Sequence, residues 1–293
     1  MKIAIALVLL TVGTVVFHFA SPWWWTEIAS NWGFIDTTIL ITFWVTGVVF
    51  VAVGLFTAYC CYKFSHREDR RADYEPENHK LEVWLTVATA VGVAIMLAPG
   101  LMAWNEFVTV PKGTPEIEVV GKQWDWIYRF PGKDGKLGKI DAKLISEKNP
   151  FGLSLKDPAG KDDILIEDNE LHIPLGKPVK LLLRAQDVLH DYYVPQFRAK
   201  MDMVPGMVTF YWFTPTRTGT FDALCAELCG TGHYAMRGKV VVEKEDAFKK
   251  WLAGNPTFAK TQKAALENHD QPAGKGLAQA DLDQTDTKSK RVN

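Results

Sequence analysis

The sequence predicts an α+β membrane protein, in which two or three N-terminal transmembrane helices precede an all-β domain. Two observations support this class. Long uncharged apolar runs are confined to roughly the first hundred of the 293 residues. Short segments rich in aromatic and β-branched residues follow, punctuated by Gly and Pro, without helical patterns between them. The formal net charge of -1 gives no indication of nucleic-acid binding through a basic surface.

The predicted anchor occupies residues 23–113 and contains two membrane spans. The run Thr37–Tyr62 contains no charge, and as a helix it is long enough to cross roughly 30 Å of hydrocarbon. Asp36 precedes this run and is its predicted N-cap. The second span is Leu81–Trp104. The loop between them, residues 63–80, is rich in Lys and Arg, so the positive-inside rule assigns it to the cytoplasm.

Residues 1–22 fit either a signal peptide or a short retained membrane segment. One Lys precedes an apolar run, as in a signal peptide. A cleavage site after Ala20 is poor, however, because His18 stands where a small residue is expected. The sequence therefore favours retention, with the three consecutive tryptophans Trp23–Trp25 at the outer membrane interface.

The segment 114–243 is predicted to form the all-β domain, a sandwich or barrel. Its predicted strands lie within Glu116–Phe130, Lys177–Gln186, Gly206–Thr216, Gly219–Leu228 and Gly238–Lys244. The stretch Pro131–Asp168 reads as a loop-like insertion. Residues 244–254 contain a short helix that ends before Pro256, and residues 255–293 are polar enough to predict a flexible tail.

A dense group of metal-binding residue types lies at positions 225–236, CAELCGTGHYAM. Cys225, Cys229, His233 and Met236 fall within twelve positions of a chain that has four cysteines. The glycines in this stretch favour a loop over a helix, and a loop can bend several ligands around one point. A further histidine, His190, lies at the end of another predicted strand in DVLHDYYVP.

Several sites could use these residues. A disulfide is possible in an exported domain, but it leaves His233 and Met236 unexplained. Structural zinc normally uses a two-residue spacing between cysteines and no methionine. A single blue-copper site needs only one Cys. Two bridging thiolates, one His for each metal and a Met would instead serve two coppers, since thiolate and thioether favour copper.

Together these motifs resemble a known family. The copper-loop string, DVLHxxxVP before it, KQWDW and KMDMVPG resemble the dinuclear copper (CuA) domain of cytochrome c oxidase subunit II over residues 30–255. The resemblance implies a two-helix anchor followed by a cupredoxin-like β-barrel on the outer side of the membrane. It also implies two coppers per chain.

The resemblance further implies a role for each residue of the site. The implied copper ligands are the side chains of Cys225, Cys229, His190, His233 and Met236 and the backbone carbonyl of Glu227. The two thiolates bridge both coppers, each histidine binds one copper, and the methionine is a weak axial ligand. The Glu227 carboxylate contacts a magnesium ion shared with subunit I.

Two residues outside the ligand set also receive roles. Trp124 in GKQWDW is similar to the surface aromatic through which electrons enter, although a core or interface tryptophan is the structural alternative. Glu82 in LEVWLT is similar to the family's glutamate at a proton channel of subunit I. Trp84 is shifted by one position relative to the family pattern, and an interfacial glutamate is the alternative.

The electron donor is predicted to be a cytochrome c or a membrane-attached cytochrome. Gln186 replaces an acidic residue of mitochondrial members, Asp187 remains, and Lys122 and Arg129 flank the tryptophan. The donor is therefore expected to dock less electrostatically than in those members.

The resemblance assigns the chain to a haem–copper terminal oxidase in the bacterial inner membrane, with the copper domain on the periplasmic side. Electrons pass to haem in subunit I for reduction of oxygen to water, and subunit III is a further expected partner. Alternatives are the CuA-bearing subunit of a haem–copper nitric-oxide reductase and a membrane-anchored copper carrier or assembly protein.

Overall fold

The computed structural model describes residues 1–21, 26–71, 74, 76–146 and 148–269. The predicted interfacial position of Trp23–Trp25 lies outside the described residues, as do residues 270–293 of the predicted tail. The described residues form two compact units. The first comprises Met1–Ile127 and Glu167–Phe248, and the second comprises Tyr128–Ile166 and the chain from Lys249 onward.

The N-terminal part of the first unit consists of the helices α1 (Lys2–Ala20), α2 (Gly33–Lys63) and α3 (His79–Val108). Each is long and apolar enough to cross a membrane, since even the 19 residues of α1 extend about 28 Å. Most of their large apolar side chains are exposed in the isolated chain. Helices that are apolar all round are typical of membrane spans.

The start of α2 differs from the prediction. The helix begins at Gly33, so Asp36 is not its N-cap and lies in the first turn. The Asp36 carboxylate instead accepts two hydrogen bonds from Arg198, at 2.6 Å from Nε and 2.9 Å from Nη2. A bidentate pair with a distant arginine was not visible in the local sequence pattern. At α3, Asn78 provides the N-cap and accepts from Leu81 N.

Helices α1 and α2 pack side by side and run antiparallel. The rings of Phe19 and Trp44 lie 6.5 Å apart near one end of the pair. Further along, a Cβ on Gly54 would approach Thr11 Oγ1 to 2.5 Å, so the two backbones are close there. Small residues at such a crossing are typical of helices that associate within membranes.

Ten strands follow in the described residues: β1 (Glu116–Lys122), β2 (Asp125–Phe130), β3 (Ile164–Ile166), β4 (Glu170–Pro174), β5 (Val179–Ala185), β6 (His190–Val194), β7 (Ala199–Met203), β8 (Thr209–Phe213), β9 (Gly219–Cys225) and β10 (Arg237–Glu243). In the first unit, β1 is parallel to β5, which is antiparallel to β8. A second sheet has the order β4-β10-β9-β6-β7.

Apolar side chains from both sheets of the first unit are buried, among them Val119, Leu181, Leu171 and Val240. The two sheets thus bury their apolar faces in one shared core, because the apolar face of a sheet must be covered by another layer. The predicted class is confirmed: apolar N-terminal helices precede an all-β domain of the cupredoxin-like type.

The segment between α1 and α2 fastens the β-domain to the helices. Ala29 N donates to Gln196 O at 2.7 Å, and Ser30 Oγ donates to Phe197 O at 2.8 Å. Trp32 is fully buried and donates to Trp212 O at 3.0 Å. Trp212 Nε1 in turn donates to the carbonyl of Glu106 near the end of α3.

The second unit is more ordered than predicted. The end of β2 pairs antiparallel with β3, and the predicted loop Pro131–Asp168 also contains helix α4 (Pro158–Lys161). Helix α5 (Glu245–Gly254) spans the boundary between the units and occupies the predicted position. A further helix, α6 (Phe258–His269), lies in the stretch that was predicted to be a flexible tail.

Arg129, which was expected to influence donor docking because it flanks the tryptophan in sequence, is buried. Only 3% of the Arg129 side chain is exposed, and its Nη1 lies 2.7 Å from Asp163 Oδ2. The same nitrogen donates to Gly138 O at 2.9 Å. A buried arginine with a carboxylate partner contributes to the interior of the second unit rather than to a docking surface.

Candidate metal centre

The candidate ligands lie at one end of the second sheet: His190 begins β6, Cys225 ends β9, and the others lie in the loop between β9 and β10. Strand β9 ends at Cys225, and the loop that follows returns to β10 at Arg237. In the register of β6 with β9, Tyr192 is opposite Cys225, so His190 lies beside the start of this loop. Ala226 N donates to Asp191 O at 3.1 Å and extends this pairing into the loop.

The loop folds back on itself through two glycines and a short 3-10 turn at His233–Ala235. Gly230 has a φ of +118°, a conformation that favours glycine. Cys225 N donates to Met236 O at 3.2 Å and closes the loop. This closure brings Met236, the last predicted ligand in the loop, back to Cys225, the first.

The structure brings all six predicted copper ligands together. Cys225 Sγ lies 3.7 Å from Cys229 Sγ, 3.9 Å from His190 Nδ1 and 3.1 Å from the carbonyl oxygen of Glu227. Cys229 Sγ lies 3.6 Å from His233 Nδ1 and 3.7 Å from Met236 Sδ. Each sulfur therefore has an imidazole nitrogen within 4 Å.

The chemistry of this donor set fits soft metal ions. Both cysteines are free thiols in the structure, which gives no support to the disulfide alternative. The donor atoms of His190, Cys225 and Cys229 lie within 4.8 Å of one another, close enough to hold a metal ion. Two thiols, two imidazoles and a thioether together favour copper over hard cations.

The two thiols differ in their acidity. Burial alone would raise the pKa of Cys225, but hydrogen bonds with His190 and with the backbone of Asp191 outweigh it and lower the pKa to about 6. Burial and the neighbouring Cys225 raise the pKa of Cys229 to about 12. Without metal, the pair thus favours one thiolate and one thiol, because a second negative charge 3.7 Å from the first is unfavourable.

His190 is held in a defined orientation. Its side chain is 0% exposed, and its ring meets Trp126 edge to face at 6.2 Å. Nε2 lies 2.8 Å from Asp187 Oδ1. Since a carboxylate can only accept, Nε2 carries a proton and Nδ1 is the ring nitrogen that faces Cys225. Burial lowers the pKa of His190, but Cys225 and Asp187 outweigh it and raise the pKa above its ordinary value.

Trp124 packs on the ligand loop and is 37% exposed. Its Nε1 donates to Cys229 O at 3.3 Å, and Gln123 Nε2 donates to the same oxygen at 2.8 Å. A Cβ on Gly232 would lie 2.3 Å from Trp124 Cδ2, so only glycine fits beneath the indole. The tryptophan thus reaches from solvent to the backbone of a candidate ligand.

Glu82 is not part of this cluster. It lies in the first turn of α3, where its side chain is 62% exposed and its Oε2 is 3.6 Å from His79 Nδ1. Gln123, Asp187 and Trp126 contact the site, and the sequence had given none of them a structural role. The hydrogen bonds of Gln123 join segments that are far apart in the chain, so no local pattern predicts them. Asp187 lies only three residues before the candidate ligand His190, and this spacing is the one local signal of their hydrogen bond.

Comparison with known proteins is consistent with this site. Residues 116–244 match the family model described as "Cytochrome C oxidase subunit II, periplasmic domain". The chain is 61% identical over 259 residues to the "Alternative cytochrome c oxidase subunit 2" of Bradyrhizobium diazoefficiens, covering 88% of this chain and 94% of that protein. It is 30% identical over 208 residues to the "Probable cytochrome c oxidase subunit 2" of Rickettsia prowazekii, covering 71% of this chain and 63% of that protein.

Among solved structures, the chain is similar to the periplasmic domain of subunit II of cytochrome oxidase of Bradyrhizobium japonicum. The sequence identity is 30%, and the match covers 53% of this chain and 99% of that one with a TM-score of 0.38. The His/Cys/Cys cluster and the match to the subunit II family together are consistent with a copper centre.

The acidity of the thiols predicts their reactivity in the metal-free chain. With a pKa of about 6, Cys225 is about nine-tenths thiolate at pH 7. Iodoacetamide should therefore alkylate Cys225 well before the more buried and less acidic Cys229, and the rate should fall as the pH drops through 6. Peptide mass spectrometry after timed quenching measures both sites, with Cys60 and Cys61 as internal references. Faster alkylation of Cys229 would contradict the assignment.

Proposed function

Because the chain belongs to the cytochrome c oxidase subunit II family, we propose that it is the electron-accepting subunit of a haem–copper terminal oxidase. Electrons from a cytochrome c-type donor reach a dinuclear copper centre in the loop between β9 and β10. They then pass to haem in subunit I, where oxygen is reduced to water. The observation that carries this proposal is the pair of thiols 3.7 Å apart, each with an imidazole nitrogen nearby.

The residues for such a centre are already arranged. Cys225 and Cys229 would bridge the two ions, and His190 and His233 would each bind one of them. Met236 and the carbonyl of Glu227 would be the weaker ligands, a role for which thioether and backbone oxygen are suited. When bound, a copper pair bridged by thiolates supplies one-electron redox chemistry in which the added charge spreads over both ions.

The protein shields these donors from water. Cys229 and Met236 are 2% and 1% exposed, and His190 lies between Trp126 and the backbone at Gly121. A Cβ on Gly121 would approach His190 Cδ2 to 3.2 Å, so the imidazole has little room to turn. A dry, closely packed shell stabilises one ligand geometry in both oxidation states and tunes the potential of a bound metal.

Trp124 is the proposed site at which electrons enter. Its indole is partly exposed to a docking protein and hydrogen-bonds the carbonyl of Cys229. This is a short through-bond route from the surface to a bridging ligand. The contact with Gly232 keeps the ring in place.

The other partners follow from family membership. Subunit I is the haem-bearing partner, and subunit III is proposed as a further one. The Glu227 carboxylate is proposed to contribute to a magnesium site shared with subunit I. In the structure its negative charge adds to that of Asp191, which has the larger effect, in raising the pKa of Lys200. Glu82, exposed in α3, is proposed to face a proton channel of subunit I.

The proposed location is the bacterial inner membrane, with the basic loop at residues 63–80 in the cytoplasm and the β-domain in the periplasm. Helix α1 is proposed to be retained as a third span. Its support is the antiparallel packing on α2 at Thr11 and Gly54. That packing also places Lys2 on the same side as the basic loop, as the positive-inside rule expects.

Copper content tests the core of the proposal. The assembled complex should contain two coppers on this chain, with one unpaired electron shared between them in the electron paramagnetic resonance spectrum. Cys225→Ser should abolish that shared signal and electron transfer from cytochrome c to oxygen, while subunit I still co-purifies. Cys60→Ser, which changes a thiol in α2, is the matched control and should leave both unchanged. A shared signal that survives in Cys225→Ser rules out the proposed ligand set.

Docking at Trp124 can be tested without touching a ligand. A tryptophan at the centre of an interface commonly contributes about 2 kcal/mol, so Trp124→Ala should weaken donor binding about thirtyfold. Gly232→Ala should act in the same direction, because its Cβ would displace the indole. Stopped-flow reduction by the protein donor gives the affinity, and a small inorganic reductant serves as the control, which should reduce all variants at similar rates. Unchanged donor affinity in both variants would refute this docking site.

Retention of α1 predicts the mass of the mature chain. Intact mass spectrometry of the purified subunit should show residues 2–20 still present. Gly54→Leu should reduce assembly of the complex, because its side chain collides with Thr11. Gly47→Leu is the matched control, since a Cβ at Gly47 meets nothing within 4 Å. A mature chain that begins after Ala20 would show that α1 is removed.

A further inference from the structure

Asp187 uses both of its carboxylate oxygens inside the protein, although its side chain is 32% exposed. Oδ2 accepts from Gln123 N at 2.7 Å. Oδ1 accepts from His190 Nε2 at 2.8 Å and from Val188 N at 2.7 Å. A carboxylate with three donors fixed around it is a structural element rather than a freely available surface charge.

The bond to His190 determines how this imidazole presents itself to the metal site. With Nε2 donating to Asp187, Nδ1 is the ring nitrogen that faces the metal site, 3.9 Å from Cys225 Sγ. The ring is buried between Trp126 and Gly121, so it cannot find a water partner by rotating outward. Carboxylates placed behind metal-binding histidines are known to fix the tautomer and the ring orientation.

The hydrogen bond from Gln123 N connects Asp187 with a residue whose side chain contacts the ligand loop. The Gln123 side chain donates to Cys229 O, and Trp124 Nε1 donates to the same oxygen. The backbone at Gln186 adds a second link, because its N–H donates to Gly121 O at 2.9 Å. One carboxylate therefore connects a candidate ligand, His190, with the turn that holds the tryptophan on the ligand loop.

We propose that Asp187 is a positioning residue that sets the tautomer and orientation of His190 and holds the Gln123–Trp124 turn against the loop carrying Cys229. The inference rests on the proposed function for its consequences at copper, but the bridge itself does not require the metal. It assigns this residue a different task from that of a carboxylate that attracts a basic donor protein. Copper binding and electron uptake through Trp124 are then linked through one side chain.

Two substitutions that each remove one charge distinguish a positioning role of Asp187 from a role in attracting the donor protein. Asp187→Asn offers one carbonyl oxygen in place of two acceptors, so it cannot serve both Gln123 N–H and His190 Nε2–H. Asp125→Asn is the matched control, because Asp125 is exposed beside Trp124 and bonds only Asn169 among the partners described for its carboxylate. Both substitutions remove one negative charge near the tryptophan.

In the full-length chain within its complex, Asp187→Asn should lower copper affinity roughly 10- to 100-fold. It should also shift the reduction potential and the copper hyperfine pattern, whereas Asp125→Asn should leave all three unchanged. If Asp187 serves only to attract the donor, both variants will instead raise KM for the protein donor, with an unaltered copper spectrum. That outcome would overturn the inference.

A second measurement needs no copper. In the metal-free full-length chain, Asp187→Ala should accelerate hydrogen–deuterium exchange in the peptide containing Gln123, because its amide loses its acceptor. Unchanged exchange there refutes the bridge. Failure of the wild-type chain to bind two coppers would instead count against the proposed function, and the exchange result would still decide on Asp187.

Discussion

The closeness of two buried thiols is the constraint on which the rest of the site depends. At 3.7 Å, Cys225 and Cys229 cannot both carry a negative charge without a counter-charge, and the opposed shifts of their pKa values express this. A metal cation removes the conflict, because it replaces the protons and balances both thiolates. Two thiolates held this close are therefore unfavourable without a metal ion and favourable when they surround one.

A rigid scaffold is needed to hold such a pair. The register of β6 with β9 pairs Tyr192 with Cys225 and so places His190 beside the start of the loop, and the bond from Cys225 N to Met236 O closes the loop. Outside these ligands, Asp187 bonds His190, and the side chains of Gln123 and Trp124 both bond the Cys229 carbonyl of the loop. The β-domain is itself fixed to the ends of the helices, by the bidentate pair of Arg198 with Asp36 and by buried tryptophans. The distance from the candidate site to the membrane helices is therefore set by specific hydrogen bonds as well as by packing.

The sequence predicted the features that are local and failed where partners are distant. Apolar runs without charge identified the helices, and the spacing of sulfur and nitrogen donors in one loop identified the candidate site. By contrast, the partner of Asp36 is 162 positions away, so the same carboxylate was read as a helix cap. The bond from Gln123 N to Asp187 spans 64 positions. Helix α6 was missed because its polar composition resembles a tail, although Phe258 is buried and its N–H donates to Asp163 O.

The same distant contacts change how the surface near Trp124 is understood. From sequence, Arg129 and Lys122 counted as positive charges and Asp187 as a remaining negative charge. In the structure, Arg129 is buried with Asp163, and Asp187 is occupied by three donors. Charges that are already paired contribute little to long-range steering. The charged neighbours of the tryptophan that stay near the surface, Lys122 and Asp125, have opposite signs. We infer that the proposed docking of an electron donor depends mainly on the exposed indole, so donor binding should vary only weakly with salt.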